Sequence, residues 1–209
     1  MPQHHVRYSS SARYVYTMRC PVAAMSSLRR MELLMFGPIM SPSLQSFVDA
    51  ELSRETGWLE HVLGWWSRRA APNVLIISYE QMVARPLESV RQLSSHMQVS
   101  LSEEEEAAVV YKMSKKYAHE HVDPYLFQAS TPFSPPGRAS KSGFIVVDTD
   151  PNAERLTPAQ MRAIKNFYTT SVQKIIEGTD KEAAENAKSF YEANRGYFNE
   201  EEKEAASKI

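Results

Sequence analysis

Residues 12–27, Ala-Arg-Tyr-Val-Tyr-Thr-Met-Arg-Cys-Pro-Val-Ala-Ala-Met-Ser-Ser, decide the fold. Ala12 to Met18 alternates and is rich in Tyr and Val, the pattern of a strand. Pro21 then opens a helix at a position where its missing N–H costs nothing. The periodicity predicts that this helix runs to about Phe36 and stops at Gly37-Pro38. A second strand lies in Asn73–Tyr79, where the short β-branched run Val74-Leu75-Ile76-Ile77 fits a buried parallel strand. Strands alternating with helices up to about residue 120 give an α/β fold, a parallel sheet flanked by helices. Two strands are too few for a self-sufficient sheet.

Working outward, Ser41–Glu55 reads as a weaker helix followed by a loop. Gly57–Arg69 reads as an amphipathic helix carrying Trp58, His61, Val62, Trp65 and Trp66. Glu80–Met97 is helical, with Pro86 near the start of its main part. Ser102 and Glu105 form a capping box for a helix expected to reach about Tyr117. Asp123–Pro151 is rich in Pro, Ser and Gly and reads as a long loop. Thr157 and Gln160 cap a further helix. Thr179 and Glu182 repeat that cap for a last helix with a charged face, expected to end near Lys208.

The 209 residues, 43% hydrophobic and 23% charged, form an ordinary globular balance. A net charge of -1 gives no bulk attraction to nucleic acid or to an anionic membrane. The single cysteine, Cys20, excludes an intrachain disulfide. No apolar run approaches the ~18 residues of a membrane span, and Met1–Ser11 has no apolar signal core. A cytoplasmic protein is the expectation. The seven glycines provide no Gly-x-x-x-x-Gly-Lys-Ser/Thr, which excludes a P-loop kinase.

Three constellations could carry chemistry. Arg19 sits just past the first strand, where ligands of parallel sheets bind, and a guanidinium holds a phosphate through two parallel N–H bonds. Ser27 adds a hydroxyl about two helical turns along. Alternatively, Arg19 pairs with a carboxylate and Ser27 is a surface helix residue. Tyr79 ends the second strand and offers a phenol to an adenine edge, or is a half-buried cap on a core strand. Gly137-Arg138-Ala139-Ser140-Lys141-Ser142-Gly143 could wrap a phosphate, or be a solvated basic loop. His119-Glu120-His121 with Asp123 reads as a solvated helix end, because residues two apart on a helix point in different directions.

These residues resemble the cytosolic sulfotransferase family. That family has a strand ending in Arg-Asn-Pro and a Ser eight positions after the Arg, the spacing of Arg19 and Ser27. Gly57-Trp58, His61-Val62 and Trp65-Trp66 are similar to its Gly-x-Trp, His-Val and Trp-Trp landmarks. Pro72-Asn73-Val74-Leu75 and Tyr79-Glu80-Gln81-Met82 resemble its Pro-Asn-Val-Leu strand and Tyr-Glu-Asp-Met turn. Leu101-Ser102 with the acidic residues after it matches the next helix start. Arg138 and Gly143 match the ends of its Arg-Lys-Gly-x-x-Gly loop. The ordered series covers about residues 12–145.

The resemblance implies 3′-phosphoadenosine 5′-phosphosulfate as sulfuryl donor and a small-molecule hydroxyl or amine as acceptor, with no metal and no nucleic acid. It implies that Arg19, Ser27 and Arg138 hold the 3′-phosphate, with Lys141 and Gly143 in the clamping loop. Tyr79 and Ser114 would contact adenine, although Lys115 stands where an aromatic is expected. His5, in His5-Val6-Arg7-Tyr8, matches the general base of a His-Leu-Pro-Tyr context. A disordered N-terminal His is the other reading of His5. There are departures: Cys20 replaces Asn, and Ala139 and Ser140 replace Lys and Gly. The family's Lys-Ser-Gly-Thr donor loop precedes the Arg-Asn-Pro strand and is not in this sequence. Ser140-Lys141-Ser142-Gly143 follows no strand and does not substitute for it. The expected organisation is a partial sulfotransferase domain over residues 1–178 and a helical extension over 179–209. Two functions remain open: sulfuryl transfer, or a catalytically inactive remnant or fragment of that family acting at most as a nucleotide-binding or interaction module. Oligomeric state is not fixed by the sequence, and a homodimer is compatible with it.

Overall fold

The structure is a computed structural model, and it describes residues 8–40, 43–54, 57–121 and 155–198. Strand β1 (Tyr14–Met18) is followed by α1 (Pro21–Met40), α2 (Leu44–Leu52) and α3 (Trp58–Trp66). Strand β2 (Val74–Ser78) leads into α4 (Tyr79–Ala84), α5 (Pro86–Met97), α6 (Glu103–Lys112) and α7 (Lys115–His121). The described C-terminal part holds α8 (Pro158–Ile176), α9 (Lys181–Ala193) and a 3-10 turn (Arg195–Tyr197).

Among the described residues the sheet has two strands, and they are parallel. Tyr14 pairs with Val74 and Met18 with Ser78, so both strands end level. Parallel strands need both faces covered. On one face β2 meets α5, where Ile77 and Val90 are fully buried. On the other, Met18, Val22, Val62, Ile164, Val172 and Phe190 join one cluster built from β1, α1, α3, α8 and α9, with Ile76 packed against it. The alternation of Ile76 and Ile77 across the sheet is the period-two rule of a strand.

Helix α3 is laid along β1 by three side chains at helical spacing. Trp58 Nε1 donates to the Arg19 carbonyl at 3.0 Å. Tyr16 Oη lies 3.0 Å from His61 Nδ1. Trp65 stacks on Tyr16 at 5.6 Å and meets Tyr14 at 5.3 Å. The order of these contacts makes α3 antiparallel to β1. Asn73 ties the strand starts together, donating to the carbonyls of Ala12 and Ser9 and accepting from the Tyr8 hydroxyl.

Both capping boxes formed as the sequence suggests, Ser102 with Glu105 and Thr157 with Gln160. Four local expectations need correction. Helix α1 continues past Gly37-Pro38 to Met40. Pro38, two residues before that end, has no N–H to give to the carbonyl of residue 34. The helix expected to reach Tyr117 breaks at Met113-Ser114, where Ser114 restarts the chain as α7. The cap of α9 is Asp180 rather than Thr179, its carboxylate accepting from Ala183 N. Helix α9 ends at Ala193 instead of near Lys208.

Helix α9 carries core residues as well as a charged face. Phe190 and Ala187 are fully buried, and Phe190 packs on Trp66 at 5.4 Å and on Trp58 at 6.0 Å. Phe190→Ala should therefore cost about 3–5 kcal/mol in urea unfolding. A loss below about 1 kcal/mol would mean that α9 is dispensable for the fold.

Candidate functional site

The level strand ends place Arg19 beside Tyr79, because each follows a paired residue, Met18 or Ser78. The Arg19 guanidinium lies over the Tyr79 ring, 4.3 Å from its centroid. Such a contact holds a cation by the ring's negative face and leaves its N–H edges free. Arg19 Nε is buried and has no hydrogen-bond partner among the described residues. A buried unpaired donor on a permanent cation is costly, and an anion at that edge would satisfy it.

The backbone carrying Arg19 is fixed from both sides. The peptide unit between Arg19 and Cys20 accepts through its carbonyl from Trp58 Nε1 at 3.0 Å. Its N–H donates to Glu80 Oε1, also at 3.0 Å. Cys20 O accepts the first helical bond, from Ala24 N, so the carboxylate sits at the start of α1. A carboxylate is favoured there by the helix dipole. Glu80 Oε2 accepts from the Tyr197 hydroxyl at 3.1 Å. The 3-10 turn after α9 thus reaches the same edge as Arg19 and Tyr79.

Burial first, and the Glu80 charge second, push the Tyr197 hydroxyl well above the usual tyrosine range. Burial does the same for Tyr16. Tyr168, packed edge-on against Trp58 at 5.2 Å, is pushed up to about 12, mainly by burial and then by Glu51.

Of the residues singled out from sequence, the structure brings Arg19 and Tyr79 together. Ser27 lies on α1 with its surface exposed. Ser114 Oγ donates to the Tyr111 carbonyl at 2.6 Å and accepts from Tyr117 N at 3.1 Å, so its hydroxyl is spent on the α6–α7 junction. His5, Arg138, Lys141 and Gly143 lie outside the described residues. Sequence reasoning missed Glu80 and Tyr197 as part of this edge. The Tyr79-Glu80 pair was in view, but nothing local signals a partner 117 positions away. Among the described residues no group of His, Cys, Asp or Glu is arranged to hold a metal. His121 is stacked on Tyr117 at 4.2 Å, and Glu120 accepts from the Tyr111 hydroxyl. No described helix is long and apolar enough to cross a membrane.

The family model for the sulfotransferase domain matches residues 3–134. The chain belongs to the sulfotransferase family. A 3-alpha-hydroxysteroid sulfotransferase of Cavia porcellus is 27% identical over 118 residues, 54% of this chain and 41% of that protein. An amine sulfotransferase of Oryctolagus cuniculus is 27% identical over 105 residues, 49% of this chain and 35% of that protein. The chain thus matches less than half the length of these sulfotransferases. A mouse sulfotransferase solved in complex with PAP superposes with a TM-score of 0.55 at 17% identity, covering 87% of this chain and 63% of that one. Retinol dehydratase, solved with androsterone and the inactive cofactor PAP, gives 0.57 at 14% identity, covering 77% and 47%. At these identities the likeness is one of fold, and the fold is that of the sulfotransferases.

The raised tyrosines set an alkaline limit on this sulfotransferase fold. An unfolded tyrosine ionises near pH 10. Groups raised in the folded state contribute stability that is complete below that value and is lost as pH rises toward the folded values. The urea midpoint should hold to about pH 9 and fall above it. Tyr197→Phe should fall less steeply, and an identical fall in both would remove Tyr197 from this account.

Proposed function

We propose that the chain forms the 3′-phosphoadenosine end of a sulfuryl-donor site, and that the protein transfers a sulfuryl group from 3′-phosphoadenosine 5′-phosphosulfate to a hydroxyl or amine. The observation that carries this is the Arg19 guanidinium, held at the carboxyl edge of a parallel strand pair with a buried Nε that has no partner among the described residues. Family membership supports the donor, as do the two structural relatives solved with PAP. The names of the curated relatives, a hydroxysteroid and an amine sulfotransferase, support a small hydroxyl or amine acceptor.

In this reading Arg19 and Ser27 bind the 3′-phosphate together with Arg138, and Tyr79 meets the adenine. Lys141 and Gly143 belong to the same clamping loop as Arg138. The donor supplies the sulfuryl group. As an S–O bond forms to the acceptor oxygen or an S–N bond to its nitrogen, the bond from sulfur to the 5′-phosphate oxygen breaks. His5 is the proposed base that takes the acceptor's proton. The products are the sulfated acceptor and adenosine 3′,5′-bisphosphate.

Calorimetric titration with adenosine 3′,5′-bisphosphate tests the nucleotide site. The wild-type chain should bind, and Arg19→Ala should lose about 2 kcal/mol, on the order of 30-fold in Kd. A folded wild-type chain that does not bind would overturn the proposal. Binding without any sulfuryl transfer from the donor to hydroxyl or amine acceptors would favour a nucleotide-binding module over an enzyme.

A further inference from the structure

Tyr197 lies beyond residues 3–134, the stretch matched to the family, yet it reaches the strand edge. It touches both groups that clamp the Arg19–Cys20 peptide. Its hydroxyl donates to Glu80 Oε2 at 3.1 Å, while Glu80 Oε1 accepts from Cys20 N. Its ring meets Trp58 edge-on at 6.3 Å, while Trp58 Nε1 donates to Arg19 O. One residue thus braces the acceptor and the donor that fix a single peptide plane. The plane's rotation sets where the Arg19 side chain starts. Tyr197 is itself anchored by Phe198, which is buried against Phe190 at 5.9 Å.

We propose that Tyr197 is a positioning residue of the nucleotide site: through Glu80 and Trp58 it holds the β1–α1 turn so that Arg19 presents its free N–H edge to the 3′-phosphate. This rests on the nucleotide reading above and extends it to the C-terminal segment. Losing the hydroxyl frees one carboxylate oxygen and lets the turn relax. The loss acts on the group that reads the 3′-phosphate and leaves the adenine contact of Tyr79 in place. Discrimination between nucleotides with and without a 3′-phosphate is therefore the property that Tyr197 controls.

The test uses the full chain and two probes, adenosine 3′,5′-bisphosphate and adenosine 5′-monophosphate, titrated calorimetrically well below the unfolding transition. The ratio of their affinities measures what the 3′-phosphate contacts contribute, that of Arg19 among them. Tyr197→Phe should lower that ratio about fivefold or more while the monophosphate affinity stays unchanged. Glu80→Gln should lower it by a smaller factor, since its amide oxygen still accepts from Cys20 N. Urea unfolding of each variant reports fold integrity. A stability loss with an unchanged ratio in both variants would reduce Tyr197 to a packing residue and overturn the proposal. A wild-type chain with no preference for the bisphosphate would overturn the nucleotide reading at the first titration, and this inference with it.

Discussion

The peptide between Arg19 and Cys20 is held at its carbonyl by the Trp58 indole and at its N–H by the Glu80 carboxylate. Neither bond is large alone, about 1–3 kcal/mol each by the usual reckoning. Their effect lies in geometry. A peptide is planar, so fixing both of its polar ends removes its remaining freedom to tilt. It is also where the chain turns from strand into helix. That turn delivers a guanidinium to the ring of Tyr79 and aims α1 across the core.

The rest of the molecule can be read as what keeps these two clamps in place. Trp58 is wedged among Tyr168, Phe190 and Tyr197 from the C-terminal helices and turn. Its helix is registered on β1 by Tyr16, His61 and Trp65. Glu80 is placed by β2, whose pairing with β1 brings Ser78 level with Met18. Ser78 also caps α4, accepting from Gln81 N, so strand end and helix start share a residue. Aromatic packing supplies rigidity at the wall of the site, while the Arg19 guanidinium lies over Tyr79.

How far the sequence foretold this depends on the range of each interaction. Strand β1, strand β2 and the two capping boxes are written in residues a few positions apart, and they were legible. Arg19 and Tyr79 were legible as strand-end residues, because level parallel strands put successive chain exits side by side. The role of Glu80 was not, since its partners lie 60 and 117 positions away. Phe190 was hidden differently: α9 is rich in charge, and one buried ring on a polar helix is a faint signal. The break at Ser114 and the passage of α1 through Gly37-Pro38 show the weakness of local rules. A serine hydroxyl that bonds its neighbours' backbone ends one helix and starts another.

The Nε–H of Arg19, unpaired among the described residues, can be observed directly. Its proton and nitrogen resonances would be followed by NMR while adenosine 3′,5′-bisphosphate is added to the nitrogen-labelled chain. The predicted result is a downfield shift of the Nε–H and slower exchange with water as the phosphate takes up the bond. An Arg19 Nε–H that neither shifts nor gains protection at saturating nucleotide would contradict the account, because the phosphate would then be held elsewhere.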